Sequence, residues 1–403
     1  MRVSRGLHRL APAVLALTVL TGCWGRHEVN DIAIVTATAL DSLEDGDLRM
    51  TLLLAVPRLV GTASLSGGGG ESKLESSAGW IVTAQGNTVM EAYRNIQAKL
   101  PRKLFFSHNR VVIVGEKLAR QGIMTILDYF ERNRQSQINS YVLVAKEEAH
   151  KILSFKPKFE KLTSEIVKEE MKNEVGVSVR MGRFLALVME EGIEPYAPQV
   201  SVVSSADDGA VDSDLLSNLM ASKVTGAFRR DKLVGWLNDS ETRGLLWISN
   251  SLKGGVMTVK LPPNIGKGYV SAEVTRGRSR MKPHLGKDGI RMEIDAWASL
   301  NLYENASTID VGSARNREIL TNLFEDDLEE LIGEVCEKAQ NKLNTDILGF
   351  GQAIFRKDPK TWRTSYAPHW DSLFSKVKVD VRASIQIVQT GLVGKDLKRE
   401  DRS

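Results

Sequence analysis

A basic, apolar, small-residue leader that ends at a cysteine dictates where the rest of this chain can fold. Arg2, Arg5 and Arg9 precede Leu10–Leu20, LAPAVLALTVL, which is about half the length needed to cross a bilayer. A charged start followed by a short apolar run is a secretory signal, not a fold element. Leu20-Thr21-Gly22-Cys23 comes directly after it. Small residues ahead of a cysteine at this place form a bacterial lipobox. Cleavage after Gly22 would leave Cys23 first in the mature chain, its thiol carrying S-diacylglycerol and its amine an N-palmitoyl chain, more than enough for stable anchoring. The expectation is a signal peptide at 1–22 and a lipid anchor at Cys23 on the extracytoplasmic face of a cell membrane. The mature chain then folds outside the cytoplasm without a disulfide framework, because its other cysteine, Cys336, has no thiol left to bridge to.

That fold must therefore rest on an ordinary core. With 403 residues, 42% of them apolar, the chain is long enough for two or three domains. Charge points to no special partner. The formal net charge is +4, and removing the three leader arginines leaves +1. Nucleic acid calls for a concentrated basic face, and the aromatic residues do not cluster with basic ones, so no nucleic-acid partner is expected.

Periodicity gives a mixed order of elements. Asp31–Leu40 and the alternating Met50, Leu52, Leu54 and Val56 read as strands joined by a turn at Ser42–Asp47. Gly61–Gly79 is a small-residue loop. Its glycine run leads into Glu71 and not into the Gly-Lys-Ser/Thr of a phosphate cradle. Trp80–Ala84 is a strand, Thr88 and Glu91 form a capping box, and Val89, Ala92, Tyr93, Ile96 and Leu100 share one helical face. Val111–Val114 and Tyr141–Val144 read as buried strands around one amphipathic helix at Leu118–Phe130. Two more helices are expected between Phe159 and Met189, with a break at Glu194–Pro198. The polar stretch SSADDGAVDS places a linker at 204–220, between an N-terminal domain at 23–203 and a C-terminal domain at 221–390. Beyond it come a hairpin around Arg230-Asp231-Lys232 and short strands at Val256–Val259, Tyr269–Val274 and Met292–Leu302. A long helix at Leu320–Leu343 carries Cys336 beside its apolar stripe, a half-buried strand runs from Val377 to Ile385, and 391–403 is a polar tail. The fold class is mixed α/β (α+β), with mixed sheets and packed helices in both regions.

Catalytic chemistry is poorly represented. No histidine pair has the spacing of a zinc helix, no cysteine pair can hold a metal, and no Gly-x-Ser-x-Gly elbow occurs. Asp45 and Asp47, and the group Asp207, Asp208, Asp212 and Asp214, lack the ligand order of a calcium loop and read as solvated turns. Ser107-His108-Asn109 resembles a catalytic set only on paper, since neighbours on an extended segment point to opposite faces; a structural or interface role is expected for His108. No catalytic, metal or cofactor site is expected.

At Cys23 a longer pattern begins. Cys23-Trp24-Gly25-Arg26-His27-Glu28-Val29-Asn30-Asp31 and Ile32–Val35 resemble the start of the Ger(x)C family, the lipoprotein C subunits (GerAC-, GerBC- and GerKC-like) of spore germinant receptors. Phe106–Glu116 with Leu127-Asp128, Val224–Phe228 with Asp231–Leu237 and Glu241–Gly244, and Trp362 and Trp370 ahead of the last strand resemble it further, in the family's order. The resemblance implies a non-catalytic subunit of a nutrient germinant receptor on the outer face of the spore inner membrane, with two polytopic partners, the A and B subunits. It carries over one functional position, Cys23. Trp24, Arg26 and Glu28 either touch headgroups or a partner, or simply begin the first packed strand. A solute-binding lipoprotein of a transporter and a cell-envelope hydrolase are the rival readings.

Overall fold

The computed structural model describes residues 31–56, 78–132, 138–155, 161–173, 176–203, 218–287 and 289–389. Cys23 with its flanking Trp24, Arg26, His27 and Glu28, the glycine run of the 61–79 loop, the Asp207–Asp214 group and the polar tail lie outside these residues.

Alternation of long apolar runs with amphipathic helices builds the first sheet. Its strands are β1 (Ile32–Ser42), β2 (Leu48–Ala55), β3 (Gly79–Gly86), β4 (Lys103–Phe105), β5 (Val111–Gly115), β6 (Tyr141–Ala145), β7 (Tyr196–Val203), β8 (Asn218–Arg229) and β9 (Lys232–Leu237). They lie in the order β3-β2-β1-β5-β6-β7-β8-β9, with β4 beside the start of β1. β1, β5, β6 and β7 are parallel, and antiparallel hairpins close both ends. Parallel strands covered on both faces must be apolar at every position, and β5 (VVIVG) and β6 (YVLVA) are buried throughout. Val112, Val114, Val142 and Val144 enter one core, while Val111, Ile113, Tyr141 and Leu143 enter a second on the opposite face.

Helices supply those faces. α1 (Val89–Gln97) starts where Thr88 accepts a hydrogen bond from Glu91 N–H at 3.1 Å, while Glu91 reaches back to Asn87 N–H, one residue earlier than in the usual box. The helix expected at Leu118–Phe130 is two, α2 (Glu116–Gln121) and α3 (Met124–Arg132). Gly122 separates them at φ +125°, and Asp231 fills the space beside it, accepting from Met124 N–H at 3.1 Å. α4 (Ala149–Leu153), α5 (Thr163–Asn173) and α6 (Met181–Met189) come next. The expected break at Glu194–Pro198 is instead the start of β7, where a register shift between Pro198 and Val200 accommodates the proline. β8 begins inside the expected linker, pairing Asn218 with Val203.

The second sheet has the order β10-β11-β12-β13, formed by Val256–Lys260, Gly268–Gly286, Gly289–Ser307 and Lys378–Gln389. The short strands expected at Tyr269–Val274 and Met292–Leu302 are parts of one long hairpin, paired from Gly268↔Ser307 to Gly286↔Gly289. Polar residues of β11 hid this extent, because only one face is covered. α7 (Asp239–Ile248), opened by an Asn238–Glu241 capping box, and α8 (Ala314–Glu337) lie against it. α8 continues into one wide turn at Lys338–Leu343, so the apolar stripe expected over Leu320–Leu343 is continuous. α9 (Phe350–Lys357) and short turns lead to β13. A single core links the sheets, running from Leu40 and Val112 through Phe228 and Leu245 to Ile294, Leu328 and Val377.

Candidate functional site at the joint between the two regions

After α6 the chain turns through Glu190-Glu-Gly-Ile-Glu194, and this short segment grips the C-terminal region at four points. Gly192, at φ +78°, lies against Gly351, where a side chain on either residue would strike the other's backbone. That closeness lets Gln352 N–H donate to the Gly192 carbonyl at 2.6 Å. Glu190 accepts from Gln352 Nε2 at 2.8 Å. Glu191 accepts from Trp362 Nε1 at 3.1 Å and from both Arg363 Nε and Nη2, a forked pair that holds its carboxyl below the usual carboxylate range. Glu194 N–H donates to the Asp346 carbonyl at 2.9 Å, and its carboxylate accepts from Arg230 N–H.

Asp346 is the centre of this joint. It is 3% exposed, and its carboxylate accepts from Gly349 N–H (2.8 Å), Phe350 N–H (3.0 Å), Gly351 N–H (2.7 Å) and Trp370 Nε1 (3.0 Å). Burial pushes its pKa up to about 6 against the pull of these four donors. Burial also raises Glu194, with Asp371 adding like-charge repulsion. Thr345 Oγ1 donates to the Phe228 carbonyl at 2.6 Å, and Arg229 Nη2 donates to the carbonyls of Leu343 and Asn344, joining the β8–β9 hairpin to the same knot. A polar cavity of about 400 Å³ remains between Glu194, Arg230, Trp370 and Asp371.

Chemically, this is a clasp and not a reactive centre. The Asp346 oxygens are spent on four donors, so it has no lone pair directed at a substrate. Sequence reasoning missed it because Glu191 and Arg363 are far apart in the chain. The one local signal is an aspartate just ahead of Gly349-Phe350-Gly351, the composition of a side-chain-capped turn.

Among the described residues, those singled out in the sequence do not converge. His108 is exposed beside Phe105, with ring centres 6.2 Å apart, while Asn109 next to it is buried. Cys336 is 2% exposed and burial raises its thiol pKa, consistent with an inert core residue. His150, which no motif flagged, sits 3.4 Å from Asp41 and 3.0 Å from Arg49, but Asp41 is occupied in capping α4 through Ala149 and His150 N–H. Among the described residues no group of three or more His, Cys, Asp or Glu could hold a metal ion, and no helix is long and apolar enough to cross a membrane.

Comparison with known proteins places this architecture. Residues 25–202 match the family described as spore germination protein N-terminal domain, and residues 224–391 match spore germination B3/GerAC like, C-terminal. Two matches covering most of the chain, in this order, make it a member of the GerAC-like (Ger(x)C) spore germination protein family. Among relatives from Bacillus subtilis, YfkR, whose name marks it as a candidate spore germination protein, is 26% identical over 98% of this chain and 100% of its own. Spore germination protein KC is 24% identical, covering 96% of each chain. Spore germination protein B3 is 25% identical over 94% of this chain and 96% of its own. The crystal structure of the GerBC protein shares the fold, with a TM-score of 0.55 at 21% identity, covering 88% of this chain and 97% of that one.

Proposed function

We propose that this chain is the lipid-anchored C subunit of a nutrient germinant receptor. Cys23 holds it on the outer face of the spore inner membrane beside two polytopic A and B subunits, where it serves assembly or signalling and catalyses nothing. The observation that carries this reading is the ordered pair of family regions at 25–202 and 224–391, whose two sheets share a core. An N-terminal domain at 23–203 and a C-terminal domain at 221–390 act together through the clasp at Asp346. A lipid anchor confines the subunit to two dimensions near its partners, so modest interfaces suffice for assembly.

The test is purification. A C-terminally tagged chain, solubilised from spore inner membranes in mild detergent, should bring down two polytopic membrane proteins. Recovery of an ATP-driven permease, or of no partner, would sink the receptor reading in favour of solute binding. Cys23→Ala should release the chain from the membrane or block its processing, with loss of nutrient-triggered germination; unchanged retention and germination would refute the anchor.

A further inference from the structure

β11 changes the face it presents midway along its length. Tyr269, Ser271 and Glu273 lie outward while Val270, Ala272 and Val274 are buried. A register shift between Val274 and Arg276 then turns Arg276, Arg278 and Arg280 outward. Side chains alternate along a strand, so an unbroken β11 would drive these arginines into the core. The bulge makes them a surface row spaced roughly 7 Å apart, two strand residues per step. None of the three has an ion-pair partner among the described residues. Opposite and beyond them, Glu293 and Asp295 on β12 are engaged by Lys282, and Asp380 on β13 by Arg291, while Glu273 lies outward on the other side of the bulge.

Beside this row lies a cleft of about 530 Å³, bounded by the turn after α7 and by β12. Lys253, Gly254, Arg276, Gly277, Arg278 and Trp297 line it, and among the described residues no carboxylate does. Trp297 is Arg278's cross-strand partner and is 38% exposed. Arg276 and Arg278 line one cleft whose described wall carries no carboxylate, so a multiply charged oxyanion there would offset their positive charge. Guanidinium forks fit phosphate oxygens in pairs, and the indole offers an apolar surface for whatever the phosphate is attached to.

We propose that this cleft binds a phosphate group, carried either by an anionic lipid headgroup or by a soluble phosphate ester. The site does not depend on the receptor reading. The test uses the full chain in nonionic detergent and tracks its melting midpoint with inorganic phosphate, with glycerol phosphate, and with micelles doped with phosphatidylglycerol, phosphatidylcholine being the neutral control. Bound phosphate should raise the midpoint by a few degrees, less at high salt, and an Arg276→Gln/Arg278→Gln double variant should lose the rise. A rise with either soluble phosphate assigns a soluble ester; a rise with phosphatidylglycerol alone assigns a lipid headgroup. No rise with any of the three, or an equal rise in the double variant, overturns the site.

Discussion

The two sheets of this protein answer the same problem in opposite ways. The nine-stranded sheet is covered on both faces, so every position of β5 and β6 is apolar and buried. The four-stranded sheet covers one face with helices and leaves the other open, so β12 alternates Met292, Ile294, Ala296 and Ala298 inward with Glu293, Asp295 and Trp297 outward. Their edges differ too. β13 ends its sheet beside α8, and Glu329 and Glu325, one helical turn apart, accept from Ala383 and Ile385 N–H at 2.8 Å each. On the other side, the Asn250 amide pairs with both N–H and C=O of Ser279, and Lys357 takes the carbonyl of Pro283. Side chains here do what a further strand would do, which blunts two edges open to adventitious pairing. The first sheet stores its specificity in packing, and the second in its outward and edge residues.

Substitutions should separate the two. The largest effect is expected at Phe228 in the first sheet, fully buried and edge-to-face with Phe184 at 5.2 Å; Phe228→Ala should cost about 3–5 kcal/mol by denaturant unfolding. A loss below about 1 kcal/mol would break the contrast. Next comes the clasp. Asp346 has a folded pKa of about 6, above its unfolded value, so its contribution is fully present below about pH 4 and is lost as pH rises through 6. Stability measured from pH 4 to 7 should fall by on the order of 2–3 kcal/mol more in the wild type than in Asp346→Asn, and parallel profiles would refute the assignment.

Smaller effects belong to the second sheet. Glu325→Ala and Glu329→Ala should each cost about 1–2 kcal/mol, and together they should promote association seen by light scattering, since they uncover the β13 edge. A double variant that stays monomeric at high concentration would show that something else guards this edge. Least of all, Trp297→Ala on the open face should stay within about 1 kcal/mol in thermal melts. A larger loss would mean that this face is not free.

Legibility in the sequence divides along the same line. β5, β6, α8 and the hairpin at Arg230 are readable because burial on two faces, or on one helical stripe, leaves an unbroken pattern. β11 is not, because the bulge between Val274 and Arg276 shifts its alternation just where the expected strand stops. β7 is hidden by Pro198, and the break at Gly122 by apolar residues that continue on both sides of it. The clasp at Asp346 is beyond local reading, since Glu191, Arg230 and Trp370 meet only in the folded chain. The anchor proposed at Cys23 is the reverse case, argued from its sequence neighbours alone, and it lies outside the described residues.

The position of β1 has a mechanical consequence. The chain enters the described fold at Ile32, and β1 lies inside the nine-stranded sheet, flanked by β2 on one side and by β4 and β5 on the other. A pull on the N-terminal side therefore runs along the strand and strains two ladders in shear at once, so their hydrogen bonds must break together and not one after another. A handle attached through β3, at the edge, would peel a single ladder open. Force-extension curves should show the higher rupture force for the N-terminal handle; a chain tethered by that end is held by the part of its sheet that yields last.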